Sequence, residues 1–147
     1  MSSVPPLARS LGIRVSLIPL RGPADIHGVF ARIETEKPQG LILAPSGLLY
    51  AHAREFIQRV AKSRLPAVYG LRELVPEGAL MSLSPDLSDM AIRGATYVDK
   101  ILRGANPATL PVERSDKFQL LINLKTAKAF GLTIPQSLLQ RADQVIE

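Results

Sequence analysis

The sequence predicts an α/β protein built on an open, mostly parallel sheet with flanking helices. Three observations carry that prediction. Apolar runs of about five residues alternate along the chain with amphipathic helical segments, the pattern of βαβ units. The run Gly40-Leu41-Ile42-Leu43-Ala44 is short and wholly apolar, as in a strand buried on both faces of a parallel sheet. The composition, 46% hydrophobic and 21% charged over 147 residues, suits one ordinary globular domain with one core.

In chain order, Leu7 to Gly12 reads as the end of a helix, and Arg14 to Leu20 reads as a strand. Asp25 to Lys37 reads as a helix, because Ile26, Val29, Phe30 and Ile33 fall at helical spacing. After the apolar strand at Gly40–Ala44, Leu49 to Arg64 is the clearest helix, with Leu49, Ala53, Phe56, Ile57, Val60 and Ala61 on one face. Pro66–Tyr69 and Ala79–Leu83 are two further short strands.

A long amphipathic helix follows, from Pro85 to Leu102. Ser84 is placed to cap it, Pro85 suits its first position, and Asp86 and Asp89 favour its first turn. Leu87, Met90, Ala91, Gly94, Val98, Ile101 and Leu102 form its apolar stripe, and Gly104 fits the C-terminal cap. The turn-rich stretch Ala105 to Glu113 leads to a strand at Phe118–Asn123. Asn123 is placed to cap a short helix ending at Gly131. A last helix is expected to bury Leu138, Leu139, Ala142, Val145 and Ile146.

Composition excludes several function classes. No apolar run approaches the ~20 residues needed to span a bilayer. There is no cysteine, hence no disulfide, thiol chemistry or Cys-based metal site. The N-terminus lacks the basic-then-apolar pattern of a secretory signal. Read alone, that keeps the chain in the cytoplasm; a mature or trimmed piece of a longer precursor is the alternative. The net charge of +5 lies in the first half, where residues 1–75 carry ten Lys/Arg against five Asp/Glu and residues 76–147 carry eight against eight. The one basic cluster, Arg59 to Arg64, sits at a helix C-terminus, where it complements the helix dipole. Few aromatic residues accompany it, which disfavours an RNA-stacking surface.

No catalytic set emerges, and neither a metal nor a cofactor is expected. His27 and His52 have no second ligand type at metal-binding spacing, and Glu55, three after His52, suits a surface pair. Glu34 and Glu36 point different ways on one helix. There is no GxGxxG, P-loop or GxSxG motif. Parallel sheets bind ligands beyond the carboxyl ends of their strands. That rule singles out Ala44-Pro45-Ser46-Gly47, Tyr69-Gly70-Leu71-Arg72 and Ser82-Leu83-Ser84-Pro85. Helix N-termini there offer free N–H groups to a carboxylate. Ser46, Ser82 and Ser84 add hydroxyls, and Tyr69 a stacking face with a polar tip. Ser46 and Ser84 also read as plain helix caps, and Tyr69 as core at a strand end.

An ordered set of segments carries a resemblance. They are Ile42 to Ser46, Arg64-Leu65-Pro66-Ala67-Val68-Tyr69-Gly70-Leu71-Arg72-Glu73, Gly78 to Ser82, Ala95-Thr96-Tyr97-Val98-Asp99-Lys100-Ile101-Leu102-Arg103-Gly104, and Leu110-Pro111-Val112-Glu113 through Asn123-Leu124-Lys125-Thr126-Ala127. Together they resemble the ABC-transporter substrate-binding proteins of the tryptophan and aromatic-amino-acid type, over nearly the whole chain from about Leu7. The resemblance implies a periplasmic-binding-protein-like (type I) lobe, and a role in capturing a small solute, perhaps an amino acid, for an ABC permease in the periplasm. It implies no enzymatic activity and no nucleic-acid partner. Such proteins have two lobes that close on the ligand, and residues 1–147 resemble the C-terminal lobe only.

On that reading the N-terminal lobe and the first, central strand of this lobe are absent, so the strands at Arg14–Leu20 and Gly40–Ala44 lack their shared neighbour. The ligand contacts carried over are Ser46, Tyr69 and Ser82. The chain departs from the family where a common Leu-Met-Ser-Tyr-Gly-Pro-Asp becomes Leu80-Met81-Ser82-Leu83-Ser84-Pro85-Asp86. The alternative is a truncated, non-transport α/β module whose free strand edges lead it to self-associate as a homodimer.

Overall fold

The computed structural model describes residues 4–147, with side chains from Leu7 onward. The chain divides into two compact units, Met1–Lys37 and Pro38–Glu147. The first holds α1 (Val4–Ser10) and α2 (Asp25–Glu36). Ile26, Phe30 and Ile33 of α2 are buried, as their spacing predicts. The Asp25 carboxylate accepts the N–H groups of Arg21 (2.8 Å) and Gly22 (3.3 Å), which fixes the turn into the helix. The expected strand at Arg14–Leu20 does not form. Val15 and Leu17 are exposed there. A strand is held by backbone hydrogen bonds to a neighbouring strand, and residues 14–20 pair with none of the described strands.

The second unit is a five-stranded sheet in the order β1-β2-β3-β4-β5. The strands are β1 (Leu41–Leu43), β2 (Ala67–Tyr69), β3 (Met81–Pro85), β4 (Phe118–Asn123) and β5 (Gln144–Ile146). All neighbours are parallel except β3 and β4, which run antiparallel. Helices α3 (Gly47–Ala51), α4 (Ala53–Ser63), α5 (Leu87–Leu102), α6 (Leu124–Phe130) and α7 (Gln136–Leu139) flank it.

The expected helix at Leu49–Arg64 is thus two, broken at His52, with Leu49, Phe56, Ile57 and Val60 buried. They join Ala67, Tyr69, Leu74, Val75, Ala79, Leu80, Leu121, Ile122 and Ala127 in the core. Burying each of the larger side chains contributes about 1.5–3 kcal/mol.

Four further expectations are corrected. The apolar β1 is not buried on both faces: it is an edge strand, and Ile42 is 85% exposed. The strand expected at Ala79–Leu83 lies two residues later, because it pairs with β4 through Pro85↔Phe118. That keeps Ser84 in the strand, so Asp86 rather than Ser84 caps α5, its carboxylate accepting the N–H groups of Ser88 (2.9 Å) and Asp89 (3.2 Å). Finally, the last helix stops at Leu139 and the chain becomes β5. Asp143 brackets Leu120, its N–H donating to the Leu120 carbonyl (2.9 Å) and its carboxylate accepting the Leu120 N–H (2.7 Å).

Candidate functional site

The carboxyl ends of β1, β2 and β3 lie side by side. Leu43 pairs with Tyr69, and Tyr69 with Ser82. Paired residues of neighbouring strands project from the same face, so two of the three candidate residues, Tyr69 and Ser82, are immediate neighbours. Ser46 follows three residues after β1. Its hydroxyl accepts the Leu49 N–H (3.1 Å) and caps α3, and the residue is exposed. The loops after β1 and β2 touch: the Gly70 N–H donates to the Leu43 carbonyl (2.9 Å), and the Pro45 ring lies against Gly70.

Tyr69 is 1% exposed, and burial pushes its hydroxyl pKa well above the ordinary value. The phenol therefore stays neutral. Ser82 and Ser84 are buried on the same face of β3, two residues apart. Neither hydroxyl has a hydrogen-bond partner among the described residues. Buried hydroxyls left unpaired cost free energy.

Three further polar residues complete this corner. Gln119 of β4 pairs across the sheet with Ser84. Its amide carbonyl accepts from the Arg72 guanidinium, and its amide nitrogen donates to the second carboxylate oxygen of Asp86 (2.9 Å). Arg72 opens the 3-10 turn Arg72–Leu74, which packs against β3. The candidate loops contain Arg72, but reasoning from sequence did not single it out. Nothing local marks Gln119, whose polar chain joins residues 47 and 33 positions apart.

No group of three His, Cys, Asp or Glu side chains that could hold a metal ion occurs among the described residues. His52 and Glu55 form the expected surface pair at 3.9 Å. A concavity of about 430 Å3 lies between α5 and the returning segment, lined by Met90, Tyr97 and Ile101 against Leu110–Ser115. The Tyr97 hydroxyl donates to the Pro111 carbonyl (2.5 Å) there. Arg93 ties the walls together through Asp89 (2.7 Å), Asp116 (2.5 Å) and Glu113 (3.6 Å). Hydrogen bonds from Lys117 and Arg93 hold the Asp89 carboxyl below the usual carboxylate range.

The family model described as ABC transporter substrate binding protein matches residues 5–146. No curated protein matches. Among solved structures, an ABC domain in complex with L-Trp from Streptococcus pneumonia is 25% identical, with a TM-score of 0.86 over 97% of this chain and 48% of that one. A conserved domain protein from Vibrio cholerae is 26% identical, with a TM-score of 0.83 over 94% of this chain and 46% of that one. A ligand-free, open substrate-binding protein with adhesive properties from Clostridium difficile is 17% identical. Its TM-score of 0.67, over 97% of this chain and 48% of that one, shows likeness of fold alone. The chain spans about half the length of each of these structures.

Proposed function

The chain belongs to the ABC transporter substrate-binding protein family, and from that premise we propose that it binds a small solute at the carboxyl ends of β1, β2 and β3 for delivery to an ABC permease. The observation that carries this reading is the pair of buried, unpartnered hydroxyls on Ser82 and Ser84 beside Tyr69. Ser46, Tyr69 and Ser82 are the proposed contacts, with Ser46 offering its hydroxyl proton from the exposed rim. An amino acid is the proposed solute class, supported by the relative that holds L-Trp. The chain corresponds on this reading to the C-terminal lobe of a two-lobed, periplasmic binder with no enzymatic activity.

One lobe lacks the opposing wall, so binding by this chain is weak, with Kd roughly in the micromolar-to-millimolar range. Titration of the chain with L-tryptophan, followed by NMR, is expected to saturate, with shifts at the residues after β1, β2 and β3. Ser82→Ala, which removes the hydroxyl and leaves the rest of the side chain in place, is expected to weaken that binding several-fold. A flat titration up to about 10 mM, with other amino acids equally silent, rejects the reading.

One observation favours self-association instead. Every residue of α5 is exposed or half-buried, and the small and apolar positions 87, 91, 94, 95, 98 and 102 have a spacing that is the same from either end. In an antiparallel pair of α5 helices, Leu87 meets Leu102 of the partner subunit and Ala91 meets Val98 of the partner subunit. Asp86 and Asp89 then approach the partner's Lys100 and the partner's Arg103, and the helix dipoles oppose. The outer edge of β1 offers only three residues for strand addition, so α5 is the stronger surface. Sedimentation is expected on this reading to show a dimer at about 100 µM that Val98→Asp converts to monomer; a wild-type monomer at that concentration refutes it.

A further inference from the structure

We propose that Arg72, held in place by Gln119 and Asp86, recognises a carboxylate on the solute, and that the Ser82 and Ser84 hydroxyls donate to the same group. The inference rests on the solute-binding reading and extends it to the chemical class of the ligand.

Arg72 is a cation without a carboxylate partner among the described residues. Arg93 shows the opposite situation: Asp89, Glu113 and Asp116 all surround it. What separates Arg72 from the nearby Asp86 is Gln119. Its neutral amide stands between them, with its carbonyl toward the guanidinium and its nitrogen toward the carboxylate. Only this orientation of the amide satisfies both neighbours, so the spacer is fixed.

Each member is anchored by secondary structure. Asp86 spends its other oxygen capping α5, Gln119 sits in the antiparallel ladder of β4, and Arg72 lies in a turn packed on β3. The charge of Arg72 is therefore positioned but not neutralised, and most of its N–H donors are left for a planar, two-oxygen anion.

The two hydroxyls supply the independent observation. Ser84 is the cross-strand partner of Gln119, and Ser82 that of Leu121 next along the same strand. Both hydroxyls are buried, unpaired and on the face that carries Gln119. A carboxylate is acceptor-only, so it complements a guanidinium fork and two O–H donors with no donor–donor clash. The place is also the one where an open parallel sheet holds its ligands.

The test compares two probes that differ only at this group, L-tryptophan and L-tryptophanamide, each titrated into the full chain and followed by NMR. L-Tryptophan is expected to shift the Arg72 side-chain Nε–H and the Ser82 and Ser84 amide resonances saturably, with the amide binding about tenfold more weakly. Arg72→Gln is expected to abolish the preference for acid over amide. Gln119→Glu provides a second variant that leaves Arg72 in place but neutralises it, and is expected to erase the same preference. Equal affinity of the wild type for both probes overturns the carboxylate inference and leaves solute binding standing. So does a preference for the acid that survives both variants. Silence toward both probes overturns this inference and the solute-binding reading together.

Discussion

Gly70→Ala is expected to destabilise the Pro38–Glu147 unit by about 1–3 kcal/mol, the usual cost of forcing an extra carbon into a packed site. A Cβ at position 70 would stand 2.4 Å from Pro45 Cδ and 2.9 Å from Pro45 N. Neither atom yields easily. The pyrrolidine ring fixes the backbone of Pro45, and the Gly70 N–H is already bonded to the Leu43 carbonyl (2.9 Å). Relief requires parting the loops that follow β1 and β2, of which the first carries Ser46 and the second follows directly on Tyr69. The variant should therefore lose solute affinity together with stability. Gly47→Ala is the control, because a Cβ there meets nothing within 4 Å and lies in the first turn of α3, where alanine is the better helix former. Urea denaturation followed by circular dichroism reads both effects. A Gly70→Ala midpoint equal to wild type refutes the close packing of the two loops.

What the sequence makes legible is local. The strand Phe118–Asn123 and the helix after it are readable to the residue, because Asn123 and Gly131 are conformational signals that act where they stand. The buried faces of α2 and α4 are readable because helical spacing gathers Ile26, Phe30 and Ile33, or Phe56, Ile57 and Val60, without help from elsewhere.

The failures are non-local. Arg14–Leu20 has the composition of a strand, but a strand exists only as half of a pair. Ser84 has the right chemistry for a cap, yet it precedes a proline, which biases it toward extended backbone, and the ladder with β4 holds it there. Val145 and Ile146 fit a helical stripe with Leu138 and Leu139, but Asp143 captures Leu120 and turns the chain into β5.

The site follows the same division. Ser46 is legible as a cap because a strand, a serine and a glycine follow in order. Tyr69 and Ser82 emerge as candidates from the strand-end rule, but their adjacency depends on the register of β2 against β3. Arg72, Gln119 and Asp86 come from three separate segments, so only the folded chain joins them. Local physics thus names the ends of the strands as the place to look, while tertiary pairing decides which polar groups meet there.

Asn123→Ala is expected to cost about 1.5–2.5 kcal/mol, because one side chain serves two elements. Its carbonyl oxygen accepts the Thr126 N–H (3.0 Å) and caps α6. Its amide donates to the carbonyl of Val75 (2.9 Å), a residue with 0% exposure. Losing the cap alone costs about 1 kcal/mol, and losing the hydrogen bond to the Val75 carbonyl, which keeps the Gly78 N–H (3.1 Å), adds about 0.5–1.5 kcal/mol. Asn123→Asp separates the two roles. It keeps the acceptor for Thr126 but faces the Val75 carbonyl with a carboxylate, which cannot donate. Burial and that carbonyl raise the introduced carboxyl's pKa in the folded state, because only the protonated acid restores the donor. The linkage sign follows: a group with a raised folded pKa stabilises below its unfolded pKa and loses that contribution as pH rises through the folded one. Asn123→Asp should therefore approach wild-type stability near pH 4 and fall well below it at pH 7, whereas Asn123→Ala should show the same deficit at both. Thermal unfolding of the three proteins at the two pH values decides the matter: wild-type stability of Asn123→Asp at both would show that the donor to Val75 contributes nothing and that the cap alone accounts for the residue.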